Sequence, residues 1–421
     1  MESNKNSSQG FPMDPVFYIV IAAMALIVVL LRFKVMMGIS ILCGGLFIWL
    51  FESRSIPDLW TAAFDAAKIQ RNWDLIFCLY FVMCLEVELR TSGSLSGLVK
   101  TFRNIFSSNK VTLAVMPAFL GLLPSMGGAR FSAPIVQEAS EGIAINAEQK
   151  SVINLWFRHI FEFSNPLMPG MILACGIANV TIQDLIIHVG WVTILCFVLG
   201  WLLLVQPLKI VNKEKATNTT NEHDIDWKSL FLAFGPIIAS FLLIVSFGIS
   251  AAVSMGLVVL CFIPIFYAFG RKIPIKNVFL ESLDVKLLVN VVLILYFIQL
   301  LTITGVLDQI VTAFKSSALP QEAIVAALAF IFGLMTGQSQ GYIAVVIPIV
   351  ALMSPGNILL VGTAMVFGLA GQMMTPVHLC ILVTVEYFKA NMWNVIGRCG
   401  FISLIMLICY SAWTYFRYYL L

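Results

Sequence analysis

The chain has 421 residues, 60% of them hydrophobic and 11% charged, with a formal net charge of +3 and a mean hydropathy of +0.95. A soluble domain carries about 25% charged residues, so this composition excludes an ordinary water-soluble fold and indicates a polytopic membrane protein. The small net charge gives no ground for a nucleic-acid partner.

Residues 1–14 are polar and lack the basic start of a cleaved signal peptide; an extracytoplasmic N-terminal tail is expected there. A span needs about 20 apolar residues. Apolar runs at Pro15–Leu31, Val35–Phe51 and Trp73–Leu89 predict three spans, with a polar, partly helical link at Glu52–Arg71. The next apolar stretch, 111–137, contains GLLPSMGGARFSAP from Gly121 to Pro134. Irregular backbone at membrane depth persists only where protein encloses it or where it lines a wet cavity. The stretch is therefore read as a re-entrant helix–loop–helix hairpin. Spans four and five are predicted at Val152–Ile177 and Leu185–Val205. Residues 207–228 form a hydrophilic cytoplasmic linker, read as mobile. Spans six to eight follow at Ser229–Gly248, Ala251–Phe269 and Leu287–Ile303. A second hairpin is placed at 323–352, with the tip GLMTGQSQGYIAVVIP from Gly333 to Pro348, and spans nine and ten at Ile358–Val385 and Val395–Tyr415.

The two halves match in pieces. SGSLSGLVKTF (Ser92–Phe102) aligns with TGVLDQIVTAF (Thr304–Phe314), pairing Gly93 with Gly305, and the same offset puts Gly121–Leu122 on Gly333–Leu334. SNPLMPGMILA (Ser164–Ala174) faces MTPVHLCILVT (Met374–Thr384) at an offset two residues shorter. These matches predict a first repeat at 15–206 and a second at 229–421. Lys and Arg concentrate in cytoplasmic loops. With both termini extracytoplasmic, the basic loops around Arg90–Lys110 and Arg271–Lys276 fall inside, which requires both hairpins to be re-entrant. Five spans per half then invert the second half relative to the first, so the expected fold is all-α, two inverted repeats of five spans plus one hairpin each.

Paired interrupted segments in two halves point to a transporter binding site. At the first tip Ser125, Gly127, Gly128 and Ser132 offer hydroxyls and bare backbone, and Arg130 is suited to grip a carboxylate or phosphate; a structural ion pair, for instance with Glu162, is its other reading. The second tip offers Thr336, Gln338, Ser339 and Gln340. Helix-packing glycines are the plainer alternative for both tips. Prolines break spans four and nine, where Ser164 and Asn165 lie in SNPLMPG, and Gln372, Thr375 and His378 in GQMMTPVHL; His159 is read as interfacial. The candidate solute-binding residues are Ser125, Gly127, Gly128, Arg130, Ser132, Gln338, Ser339, Gln340 and His378. The candidate coupling-ion residues are Ser125, Glu162, Asn165, Thr336, Gln338 and Thr375, with sodium as the candidate ion; Glu162 or His378 would carry a proton instead. Arg158 and Glu162, four apart, are expected to form a structural pair. Glu86 and Glu88 are expected to snorkel at a span end, and His188 and Asp308 to face water or headgroups.

No zinc-protease, nucleophile-elbow, P-loop or dinucleotide fingerprint is present, so neither an enzyme nor a cofactor is expected. Nine cysteines lie in apolar runs and form no CxxC or Cys/His cluster in the sequence; they are read as small hydrophobes, with no disulfide framework or metal site implied.

The order of three spans, hairpin, broken span and span, given twice, resembles the ion-transporter superfamily of secondary carriers, which includes citrate, dicarboxylate and gluconate carriers and arsenite-pump membrane subunits. The LPSMGGARFSAP stretch more closely resembles a prokaryotic ten-span family within it, known as a domain of unknown function. The resemblance covers nearly the whole chain. It implies an ion-coupled elevator carrier in the prokaryotic inner membrane, with hairpins and broken spans as the moving body and the other spans as a homodimeric scaffold against lipid. Sodium–dicarboxylate relatives carry Ser-Asn-Thr at both tips; this chain reads Pro124-Ser125-Met126 and Thr336-Gly337-Gln338. The implied activity is ion-coupled transport of a small, carboxylate-type solute. A passive anion channel, or a non-transport membrane protein such as an intramembrane enzyme or assembly factor, is the alternative.

Overall fold

The structure, a computed structural model, describes residues 15–33, 35–94, 97, 101, 109–122, 128–211, 226–316 and 319–420. The N-terminal tail, first-tip residues 123–127 and linker residues 212–225 lie outside the described residues. In chain order the helices are α1 (Pro15–Arg32), α2 (Met37–Glu52), α3 (Ile56–Lys68), α4 (Gln70–Thr91), α5 (Asn109–Gly121), α6 (Gly128–Ala139), α7 (Ala147–His159), α8 (Pro169–Ala178), α9 (Ile182–Val189) and α10 (Trp191–Gly200). They continue as α11 (Trp227–Phe241), α12 (Ala251–Ala268), α13 (Ile275–Glu281), α14 (Val285–Ile303), α15 (Val306–Ser316), α16 (Gln321–Thr336), α17 (Ser339–Met353), α18 (Ile358–Met373), α19 (Leu379–Phe388) and α20 (Met392–Tyr415). The one sheet among the described residues is a two-stranded antiparallel ladder of β1 (Ile143–Ala144) and β2 (Lys209–Ile210), which fastens the loop after α6 to the segment after α10.

The protein is a helical membrane protein. Among the described residues four helical stretches are long and apolar enough to cross a bilayer singly: Trp227–Ser246, Ala251–Ala268, Val285–Ile303 and Met392–Tyr418. The pair α8 and α9 supplies a fifth only if counted together across its 113° bend. This is fewer than the ten continuous spans the hydropathy predicts, for three reasons. Spans one, two and five are short among the described residues, as the apolar helices Tyr18–Arg32, Met37–Glu52 and Trp191–Val205. Spans four and nine are each cut by a proline-containing break into shorter helices. Span three, α4, keeps its length but carries Arg71, Asp74, Glu86, Glu88 and Arg90.

The chain divides into two compact units. One holds α1, α2, α3, the part of α14 from Asn290 onward, and α15. Its helices meet through small residues, which let backbones approach within a bilayer. A β-carbon on Gly44 would lie 2.6 Å from Ile27, and Gly38 sits against Asn290, whose side-chain oxygen accepts the Gly38 amide at 2.8 Å.

The other unit holds the remaining helices and all the site chemistry. Two of its crossings are backbone against backbone. In α5, a β-carbon on Gly121 would meet the Arg158 carbonyl of α7 at 2.0 Å; in α16, one on Gly333 would meet the Gly368 carbonyl of α18 at 2.1 Å. Both broken spans have one local shape. Beyond α7 a 3-10 turn (Ile160–Phe163) leads into an irregular step and then α8, opened by Pro169; beyond α18 a similar step leads into α19. Helices α8 and α19 are ten residues each and end on left-handed residues, Asn179 (φ 58°) and Lys389 (φ 54°). Gly93 and Gly305 likewise share φ 70°. Packing crosses between halves: α8 lies on α17, and α19 on α6 and α7.

Two charged residues differ from expectation. Glu88 does not snorkel: it is fully buried, and neither carboxylate oxygen has a hydrogen-bond partner among the described residues. His188 faces neither water nor headgroups but is buried beside Gly362 and in contact with the Tyr418 hydroxyl at 3.1 Å.

Candidate functional site

The second hairpin tip is set by Gly337, in the left-handed region (φ 63°), which ends α16 and leaves room for the chain to turn into α17. A β-carbon there would also press on the His378 amide at 2.9 Å, so this glycine serves both the turn and its contact with the second break. Just past the turn, the Ser339 hydroxyl donates to Glu162 Oε2 at 2.7 Å and lies 3.0 Å from the Gln372 amide. A hydroxyl has one proton. Once it is given to the carboxylate, the Gln372 amide, whose two ends interchange by a flip, completes the contact from its NH2 side. Glu162 comes from the first broken span, Gln372 from the second, and Ser339 from the tip between them.

Beside this triad two imidazoles face each other. His159 Nε2 lies 3.1 Å from His378 Nε2, with the rings edge-to-face and both residues buried. Each ring's Nδ1 touches a backbone carbonyl, His159 that of Leu155 at 2.8 Å and His378 that of Gly337 at 2.7 Å. Glu162 Oε1 is 3.9 Å from His159 Nε2, and the Cys380 thiol completes a cluster with the two rings.

Each break is repaired locally. The Asn165 side-chain amide donates to the Leu122 carbonyl at the end of α5 (2.7 Å), and its oxygen accepts the Leu167 amide (3.0 Å). Thr375, buried at the corresponding place in the second break, makes a long contact of 3.5 Å with the Val377 amide. Backbone groups freed by a break inside a membrane must find such partners.

Of the sequence candidates, the structure brings Glu162, Ser339 and His378 together. Asn165 and Thr375 sit in the two breaks. Thr336 bonds back to the Phe332 carbonyl (2.8 Å), Gln338 is exposed at the turn, and Gln340 is half-buried on α17. Gly128 begins α6, and the Arg130 backbone lies in its first turn; the Arg130 side chain, Ser125 and Gly127 lie outside the described residues. Ser132 is buried in the same helix. The expected Arg158–Glu162 pair is replaced: Glu162 reaches Ser339 and His159, while Arg158 donates to the Leu120 carbonyl (3.4 Å). Sequence reasoning names Gln372 with Thr375 and His378 in the second break, takes His159 as interfacial, whereas the structure buries it, and reads Cys380 as a small hydrophobe. The matched breaks held a signal for Gln372, which occupies the position in the second break that Glu162 occupies in the first. Cys380 stands two residues from His378, but its partner His159 is more than two hundred residues away. As for the other cysteines, Cys78, Cys84, Cys175, Cys196 and Cys399 are buried, whereas Cys261 is exposed.

The model of a family described as protein of unknown function, DUF401, matches residues 18–415. The chain belongs to the DUF401 family. No curated protein matches it. In this DUF401 chain a cleft of about 260 Å³ also opens away from the triad, between the start of α4 and the α8–α9 bend, with Arg71, Asp74 and Thr181 on its walls. There the Arg71 guanidinium is held by Asn179 and the Cys175 carbonyl. The groups that converge from both breaks and a tip lie not at this cleft but at the triad.

Proposed function

We propose that this protein is a secondary active transporter of a small anionic, carboxylate-type solute, working by an elevator mechanism and driven by a sodium or proton gradient. The observation that carries the reading is the meeting at Ser339 of Glu162 and Gln372, polar groups from two broken helices and a helix–turn–helix tip, inside an otherwise apolar chain. Polar and ionisable groups at membrane depth mark solute and ion routes, and discontinuous helices bring half-helix ends to such sites. Matched left-handed caps, glycine crossings and breaks support a duplicated fold; on this reading its halves are inverted and the protein is a member of the ion-transporter superfamily. On this reading Arg130, Ser132 and the first-tip residues Ser125, Gly127 and Gly128 face Gln338, Ser339, Gln340 and His378 across the solute. Oxygens of Ser125, Glu162, Asn165, Thr336, Gln338 and Thr375 hold sodium. The protein works as a homodimer in the prokaryotic inner membrane, with both termini extracytoplasmic and no enzymatic step.

The test is uptake by proteoliposomes of a panel of carboxylates, sugar acids and amino acids under imposed sodium or proton gradients. Accumulation above equilibrium is expected for at least one acid. Flux that only equilibrates identifies a passive anion channel, and no flux for any solute favours a non-transport membrane role. Arg130→Ala is expected to abolish uptake with folded protein retained; wild-type uptake in that variant removes Arg130 from the site.

A further inference from the structure

The paired imidazoles pose a problem of lone pairs. A backbone carbonyl only accepts, so the contacts of both Nδ1 atoms, at 2.8 Å and 2.7 Å, place a proton on each Nδ1. In a neutral imidazole the other nitrogen is then bare. His159 and His378 therefore aim two unprotonated Nε2 lone pairs at each other across 3.1 Å, in a buried setting. Such an arrangement needs something electron-poor at its centre.

Three observations say what that is. First, a carbonyl-bound Nδ1–H is the usual support of a metal-ligating histidine, since it fixes the tautomer and aims Nε2. Second, Cys380 brings its thiol to the same point: one ring nitrogen of each histidine and the Cys380 Sγ all lie within 4.8 Å of one another. A proton between the rings, or the thiol's own proton given to one of them, satisfies the donors in pairs; a metal ion alone takes all three at once. Third, the spacing fits. Tetrahedral zinc with bonds of about 2.0–2.1 Å to nitrogen holds two nitrogens about 3.3 Å apart, close to the distance here. Glu162 Oε1, 3.9 Å from His159 Nε2, is a source of a fourth ligand, and the Ser339 hydroxyl on its other oxygen orients it.

We propose that His159 Nε2, His378 Nε2 and Cys380 Sγ bind a divalent transition-metal ion of the zinc class, with Glu162 as fourth ligand. Thiolate and imidazole donors select such ions over magnesium or calcium, which prefer oxygen. The charges balance: a thiolate and a carboxylate neutralise the dication, which matters where an unpaired charge is costly. Binding releases the thiol proton to solvent. The ion ties the first broken span, which carries His159 and Glu162, to the second, which carries His378 and Cys380. The site stands whether or not the protein transports a solute.

Full-length protein purified in detergent and stripped with chelator would be titrated with Zn²⁺, measured by elemental analysis, and with Co²⁺, measured by absorption. One ion per chain is expected, with the intense visible bands of tetrahedral cobalt and a near-ultraviolet sulfur-to-cobalt charge-transfer band. Cys380→Ser is expected to lose the charge-transfer band and weaken binding while the protein stays folded; His159→Gln and His378→Gln are expected to lose the visible bands. Should the histidine variants not fold, Cys380→Ser decides alone. Absence of a stoichiometric ion, or cobalt spectra unchanged by Cys380→Ser, overturns the proposal. So does a nitrogen NMR spectrum of the zinc-treated protein in which one of the two rings carries protons on both nitrogens.

Discussion

The two breaks share a backbone and differ in what fills it. In the first, Asn165 spends its amide on the chain itself, bonding the end of α5 and the Leu167 amide, so the break is sewn shut. In the second, Thr375 contributes little to the repair, and the stitch to the neighbouring hairpin is made by His378 through Gly337. The stitch takes one donor and one lone pair of the amide, which stays neutral throughout; an imidazole keeps a second nitrogen that can bind a proton or a metal ion. One turn earlier the asymmetry reverses: the first break carries the Glu162 carboxylate and the second the Gln372 amide, both on Ser339. A shared architecture with unlike side chains thus gives each break one amide and one titratable group, at exchanged positions.

The most damaging way to break the comparison is at what the halves share. Gly121→Val and Gly333→Val would each drive a side chain into a helix carbonyl with no flexible atom to yield. Overpacking of this kind costs about 3 kcal/mol or more, so neither variant is expected to give a monodisperse peak in size-exclusion chromatography. Gly397→Ala on α20, with no atom within 4 Å to meet the new methyl group, is expected to leave the peak and melting temperature unchanged or slightly improved.

The breaks themselves come next. Asn165→Ala orphans the Leu122 carbonyl and the Leu167 amide, and unmet buried groups cost about 1–3 kcal/mol. Thr375→Ala removes one long contact, for a loss of about 0.5–1 kcal/mol. Thermal unfolding in detergent should rank them in that order; equal losses would mean the two breaks are repaired alike. The Ser339 partners test the chemical difference. Glu162→Gln keeps a partner for the hydroxyl but removes the charge, and is expected to fold and to lower solute uptake about tenfold, equivalent to about 1.4 kcal/mol. Gln372→Glu sets a second carboxylate against the first and is expected to lower the melting temperature instead.

The smallest effect is expected far from the breaks. Asp226 caps α11: its carboxylate accepts from the Ser229 hydroxyl (2.6 Å) and amide (3.0 Å), with Arg271 at 3.5 Å. The Ser229 hydroxyl first, then its backbone amide, and more weakly the Arg271 charge hold the Asp226 carboxyl below its usual range. A carboxyl whose folded value is depressed stabilises above its unfolded value, and that contribution is lost as pH falls through the folded one. Asp226→Ala should cost about 1 kcal/mol at neutral pH, and the difference from the parent should shrink in melts taken below the ordinary aspartate range.

Sequence reading located the helices well where periodic apolar runs meet polar breaks. The tip at Gly333–Pro348 and the breaks at Ser164–Pro169 and Met374–Pro376 were legible because proline, glycine and hydroxyl residues are conspicuous in apolar text. What could not be read was convergence. His159 and His378 lie in separate halves, and nothing local marks them as neighbours; Glu88 and His188 sit near helix ends, where exposure is the ordinary outcome, yet packing buries them. The β1–β2 ladder was invisible because two-residue strands leave no period to find.

The claim beneath the proposed function is that each hairpin enters and leaves the membrane on one face, the two from opposite faces. Membrane-impermeant maleimide labelling of single variants Lys110→Cys, Glu141→Cys, Leu319→Cys and Pro355→Cys, in oriented vesicles and against the parent chain's own cysteines, tests it directly. Positions 110 and 141 are expected to label from the cytoplasmic face alone, and positions 319 and 355 from the opposite face alone. Labelling of the two ends of either hairpin from different faces would make that segment a complete crossing and contradict the carrier.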